Sequence, residues 1–252
     1  MRRAAGFSAL AVILAAGALA GCGSGGGSAP VVVSAASSLK PALVDHPPAF
    51  SAAPVRVALA GSDQLAAQIR AGARPDVFAA ANAKLPEALF ADGLAERPVA
   101  FARNELVLAV PAGATRVRSV ADLARPGTTI AVGAPAVPVG SYTAKVLARL
   151  PAAQRAAIRR NVRSEEPDVA GIVGKLTQGA VDAGFVYRTD VRAAGGRIRA
   201  ITLPPALQPV VVYEAAVVRG SRHAAQARAY LAMLRGPEGQ RALRRAGFLP
   251  PP

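Results

Sequence analysis

Tryptophan is missing from this chain, and cysteine, histidine and lysine nearly so: one, two and four residues among 252. A lone cysteine, Cys22, permits no disulfide within the chain. The histidines are isolated. His46 sits in a proline-rich break and His223 near the start of a late helical stretch, and neither has a nucleophile signature beside it. The motif G-x-S-x-G does not occur. A hydrolase needs a base within reach of its nucleophile, so an exported hydrolase is disfavoured. No cluster of residues has metal-ligand spacing, and no cofactor is expected. Aromatic residues make up 4% of the chain, which leaves few platforms for stacking nucleobases. The formal charge of +15 is almost all arginine, and it is scattered rather than patched. Nucleic acid is therefore a poor partner, and the charge reads as a solvated, arginine-rich surface.

Long apolar runs are also scarce. The one at the N-terminus, Ala9–Ala20, follows Arg2 and Arg3 and is too short to span a bilayer comfortably. This is the pattern of a secretory signal. It ends in Leu19–Cys22 (LAGC), which resembles the lipobox of bacterial lipoproteins. Residues 1–22 are thus expected to be a lipoprotein signal with Cys22 as the lipidated residue, and 23–29 a flexible Gly/Ser tether. Cleavage before Cys22 leaves 252 − 21 = 231 residues and removes two arginines, so the charge falls to +13. The expected location is the outer face of a cell membrane, with a globular body held by lipid.

That body has a clear rhythm. Val31–Ser34 is β-branched and reads as a buried strand that turns at Ser37 and Ser38 into a helix from Leu39. Pro47 and Pro48 must end that helix. A strand over Val55–Leu59 leads through Gly61 and Ser62 into a helix over Asp63–Ala71. Asp76–Phe78 is a short strand, and Asn82 caps a helix to about Ala91. After a strand at Glu105–Val110 the pattern restarts. A strand at Thr129–Val132 passes through the loop Gly133–Gly140 to helices at Ser141–Leu150 and Ala152–Arg160. Pro167 opens a helix carrying Val169, Ile172 and Leu176. Strands follow at Ala183–Tyr187, Arg197–Leu203 and Val210–Val218, then helices at Arg222–Arg235 and Pro237–Ala246. Strand–helix alternation predicts an α/β fold of two lobes, each a mostly parallel sheet flanked by helices. The chain crosses near Asn104–Leu106 and returns near Val212–Ala216, so residues 30–104 with 216–252 form one lobe and 105–215 the other.

Ser38, Ser62, the Val139–Gly140 pair and Val169 each fall at or beside the start of a predicted helix, two in each half. In open α/β sheets such turns lie outside the carboxyl ends of the strands, where ligands bind. Free N–H groups there suit an anion. Tyr187, at the end of its strand, adds a phenolic donor. Taken singly, each has a plainer role: serines cap helices, Val169 packs, Tyr187 makes an edge hydrogen bond. Together they suit a tetrahedral oxyanion held without a cation. Asp63, next to Ser62, must then point away from the site.

The chain resembles the ModA family, the molybdate-binding proteins of ABC importers. The resemblance is carried, in order, by Ser34–Leu39, Ala60–Ile69, Pro75–Ala79, Phe101–Pro111, Val132–Gly140, Asp182–Arg188 and Gly236–Gly239. It implies a class II periplasmic-binding-protein fold with the ligand cleft between lobes. It implies a monomer that captures molybdate, and tungstate with it, and delivers it to the permease of an ABC importer. By the same resemblance, Ser38 and Ser62 donate through side chain and backbone, Val139 and Val169 through backbone N–H, and Tyr187 through its hydroxyl. Sulfate, phosphate or tungstate remain alternative ligands, and a lipid-anchored scaffold with an empty cleft is a further reading.

Overall fold

The computed structural model describes residues 29–252, so the expected signal, Cys22 and most of the tether lie outside the described residues. Two five-stranded sheets organise the rest. The first contains β1 (Val31–Ala36), β2 (Val55–Ala60), β3 (Val77–Ala80), β4 (Val99–Asn104) and β10 (Val211–Val217), in the order β2-β1-β3-β10-β4. The second contains β5 (Leu106–Pro111), β6 (Ile130–Gly133), β7 (Val162–Glu166), β8 (Ala183–Tyr187) and β9 (Ile198–Thr202), in the order β7-β6-β8-β5-β9. Each sheet is mixed. β1 runs parallel to β2 and β3, and β6 to β7 and β8. The strands next to a crossing, β10 and β5, pair antiparallel with their neighbours.

Burial explains the central strands. Val31, Val33 and Ala35 of β1 and Leu106–Val110 of β5 are inaccessible to solvent. Such runs, apolar on both faces, fit strands covered by helices on both sides. The helices are α1 (Ser62–Arg70), α2 (Lys84–Ala91), α3 (Pro138–Ala148), α4 (Ala152–Arg160), α5 (Val169–Thr177), α6 (Arg188–Ala193), α7 (Ala224–Arg235) and α8 (Pro237–Ala246). α7 packs on β10, and the chain end returns to the first sheet, where Leu249 exchanges both backbone hydrogen bonds with Arg103. Among the described residues no helix is long and apolar enough to cross a membrane.

The chain passes from β4 to β5 through Glu105 alone. The return lies before β10, whose pairing with β4 begins at Val211 opposite Asn104. That is earlier than the Val212–Ala216 expected from sequence, because the whole apolar run belongs to the first sheet.

Several local expectations shift. Instead of a helix from Leu39 there is one 3₁₀ turn, Ser37–Leu39, and one wide turn, Pro41–Asp45, ending at His46. Pro41 lacks the N–H that would tie the two into one helix. α3 begins at Pro138, not Ser141, with proline in the first turn. α5 begins at Val169, and Pro167 stays outside. Asp168 is the cap, its carboxylate accepting from Gly171 N. Asn82 accepts from Leu85 N at the start of α2, as a cap would. β4, β7 and α6 were not legible in the sequence. β7 (VRSEE) is a polar edge strand with no apolar run to announce it.

Candidate functional site

The turns that follow β1, β2, β6 and β7 and the end of β8 converge. All of these strands except β2 and β7, which are edges, are interior to their sheets, and all present their carboxyl ends to the same cleft. A cavity there is lined by Ser38, Ser62, Val139, Val169 and Tyr187, with Gly61 and Asp168 beside them. Each of the five is between 1% and 4% exposed. The structure thus brings together the five residues expected to bind a ligand, while Cys22, the expected lipidation site, lies outside the described residues. The cavity is small, about 20 Å³, roughly the room of one or two waters. Roomier hollows exist; one of about 600 Å³, lined by Arg97, Val99, Val217 and Arg235, lies by the start of β4 and the end of β10, at the opposite end of the first sheet from these turns.

Backbone geometry supplies donors. Ser62 and Val169 are the first residues of α1 and α5, and Val139 the second of α3. First-turn N–H groups have no acceptor within their own helix. Ser62 Oγ accepts from Ala81 N at 3.2 Å, which leaves its proton free to be donated. Ser38 Oγ lies 2.9 Å from Tyr213 Oη. The Tyr187 hydroxyl is buried with no partner among the described residues. Burial pushes the Tyr187 phenol well above its ordinary value, so it stays protonated and can donate. An orphaned buried donor is costly, and here it borders the cavity.

No lysine, arginine or histidine lines the cavity among the described residues. Any negative charge held here is met by hydrogen bonds and helix N-termini rather than by a counter-ion. Asp63 does not line the cavity. Its buried Oδ1 lies beside Gly61 instead. Behind Tyr187, Asp190 accepts from Tyr187 N at 2.8 Å, and burial raises its carboxyl to about 7.

Two glycines allow the close approach. A Cβ on Gly140 would lie 2.0 Å from Ala134 O and 2.4 Å from Gly133 O, so the first turn of α3 sits directly on the β6–α3 loop. A Cβ on Gly61 would lie 2.5 Å from Pro167 O, across the cleft in the second lobe. The lobes therefore touch at the rim of the cavity.

Residues 31–249 match the family described as bacterial extracellular solute-binding protein. Molybdate-binding protein ModA of Mycobacterium tuberculosis is 36% identical over 231 residues, covering 89% of this chain and 86% of that protein. The chain belongs to the ModA family of solute-binding proteins. Its fold agrees with solved structures. The periplasmic molybdate-binding protein of Azotobacter vinelandii superimposes with a TM-score of 0.74 at 24% identity, covering 88% of this chain and all of that one. The sulfate-binding protein SubI of M. tuberculosis gives 0.73 at 18% identity, covering 88% and 86%. At these identities both likenesses speak for the fold alone. The two proteins are named for different oxyanions and match at almost equal TM-scores, so the fold does not choose between them.

Three residues at or behind the site are not marked by the sequence. Tyr213 sat in a run of valines that read as core, Asn104 in a crossing, and Asp168 beside a proline that looked like the helix start. Only Asp168 had a usable signal, an acidic residue three places before Gly171 at a helix start.

Proposed function

We propose that this chain captures molybdate, and tungstate with it, in the cleft between its lobes and delivers it to an ABC importer. Lipid on Cys22 would hold it on the outer face of the membrane. One observation carries the reading: a small, cation-free cavity lined by Ser38, Ser62, Val139, Val169 and Tyr187, with the Tyr187 hydroxyl unpartnered beside it. Residues 30–104 with the segment from 211 onward would form one lobe and 105–210 the other, each supplying part of the shell. The 36% identical ModA of M. tuberculosis supports molybdate as the ligand.

The test is calorimetric titration of the chain from residue 23 onward with molybdate, tungstate, sulfate and phosphate near pH 7. The lining offers mainly donors; its one carboxylate, Asp168, uses Oδ1 to accept from Gly171 N as the cap of α5. Phosphate at this pH carries a proton that needs an acceptor, and a buried unpaired proton is costly. Molybdate and tungstate are expected to bind about equally, and phosphate at least roughly a hundredfold more weakly. Sulfate as the tightest ligand would overturn the choice of molybdate and leave the oxyanion site standing. Phosphate equal to molybdate would overturn the reading of a site dominated by donors.

A further inference from the structure

We propose that Tyr213 is a positioning residue that, held by Asn104, makes the Ser38 hydroxyl a pure donor toward the cavity. The inference rests on the proposed oxyanion site and extends it to residues outside the lining. Asn104 Oδ1 accepts from Glu105 N at 2.9 Å. That bond fixes the amide, because the flipped form would set two N–H groups against each other. Asn104 Nδ2 then donates to Thr189 Oγ1 at 2.9 Å and turns its other proton toward Tyr213 Oη at 3.5 Å. The second contact is long, but its polarity is what counts. With an N–H facing it, the Tyr213 proton cannot point at Asn104.

The only other partner of Tyr213 Oη among the described residues is Ser38 Oγ, at 2.9 Å. Tyr213 is fully enclosed, and burial keeps its phenol protonated. Its single proton therefore goes to Ser38 Oγ. Ser38 accepts there, and its own proton is left for the cavity it lines. The ring is held from several sides by edge-to-face contacts with Phe101, Tyr187 and Phe248, at centroid distances of 6.2, 5.9 and 5.2 Å. The relay also spans the crossing between the sheets. Asn104 ends β4, Tyr213 lies in β10, and Thr189 belongs to α6 beside the second sheet. A hydroxyl locked as a donor favours a fully deprotonated oxyanion and cannot accept from a protonated one.

A double-mutant cycle on molybdate affinity tests this, with Tyr213→Phe, Ser38→Ala and the pair. Tyr213→Phe keeps the ring and removes the one proton that orients Ser38. It is expected to weaken molybdate roughly three- to tenfold, the worth of one ordinary hydrogen bond. In the Ser38→Ala background the same change should cost less than about twofold. Equal losses in both backgrounds would overturn the relay. Asn104→Asp, of the same size, replaces the facing donor with an acceptor and draws the Tyr213 proton away from Ser38. Molybdate affinity should fall further than in Tyr213→Phe. An Asn104→Asp protein that binds as tightly as wild type would overturn the relay, however Tyr213→Phe behaves. Wild-type protein that binds none of the four oxyanions would refute the proposed function itself, whereas wild-type binding with additive variants refutes only the relay.

Discussion

Ser38→Ala, Ser62→Ala and Tyr187→Phe are each expected to weaken molybdate binding roughly ten- to a hundredfold, the worth of one hydrogen bond to a charged group. Val139→Ala and Val169→Ala should change it little, because the donors assigned to them are backbone N–H groups that survive the substitution. Stability without ligand separates the three strong variants. Ser62→Ala strips the acceptor from the buried Ala81 N–H, which costs about 1–3 kcal/mol. Ser38→Ala leaves the Tyr213 hydroxyl without its acceptor. Tyr187→Phe removes a buried hydroxyl that has no partner among the described residues, so the unliganded protein should be as stable as wild type or slightly more so. That combination, weaker binding with undiminished stability, is what a group held ready for a ligand produces, and a packing residue does not. Calorimetric affinity and thermal unfolding on the same preparations read both. Tyr187→Phe that unfolds earlier yet binds normally would place the tyrosine in the fold and not in the site.

The second large effect is expected at Gly140. A methyl group there meets two backbone carbonyls, Ala134 O at 2.0 Å and Gly133 O at 2.4 Å, and neither can rotate away. The first turn of α3 must lift off the β6–α3 loop, and the Val139 N–H moves with it. Overpacking of this kind costs about 1–3 kcal/mol, or about 2–12 °C in melting temperature for a chain of this size. Molybdate affinity should drop at least roughly tenfold, since the displaced N–H is one of the proposed contacts. Gly174→Ala is the control. It lies within α5 with nothing inside 4 Å of the added carbon. There the change should leave affinity alone and stabilise by up to about 1 kcal/mol through helix propensity. If Gly140→Ala melts and binds like wild type, the tight turn does not position Val139.

The legible parts of the fold were those with strong periodicity. β1, β8 and the C-terminal helices stand where apolar runs and helical spacing put them, because burial in a covered sheet demands just such runs, whereas β2, a largely exposed edge, was legible from its alternation. The grouping of the candidate site residues was legible for a related reason. Ser38 and Ser62 sit immediately after strands, and a strand-to-helix turn at the carboxyl end of a parallel sheet leaves few places for such residues to face. What the sequence hid was whatever depends on partners far along the chain. β7 is a polar edge strand that, among the described residues, pairs with β6 alone. The return crossing was misplaced by a few residues because strand pairing, not hydropathy, decides where β10 begins. Tyr213 looked like one more apolar residue in a run of valines, and only the approach of Ser38, 175 positions earlier, gives its hydroxyl a role.

The most direct measurement is the anomalous difference map of a crystal grown with molybdate, recorded at the molybdenum absorption edge. The account predicts one dominant peak in the cavity between the lobes, with its oxygens within hydrogen-bonding distance of Ser38 Oγ, Ser62 Oγ, Tyr187 Oη and the N–H groups of Val139 and Val169. A crystal saturated with molybdate that shows no peak in that cavity, or a peak only on the arginine-rich surface, would contradict it.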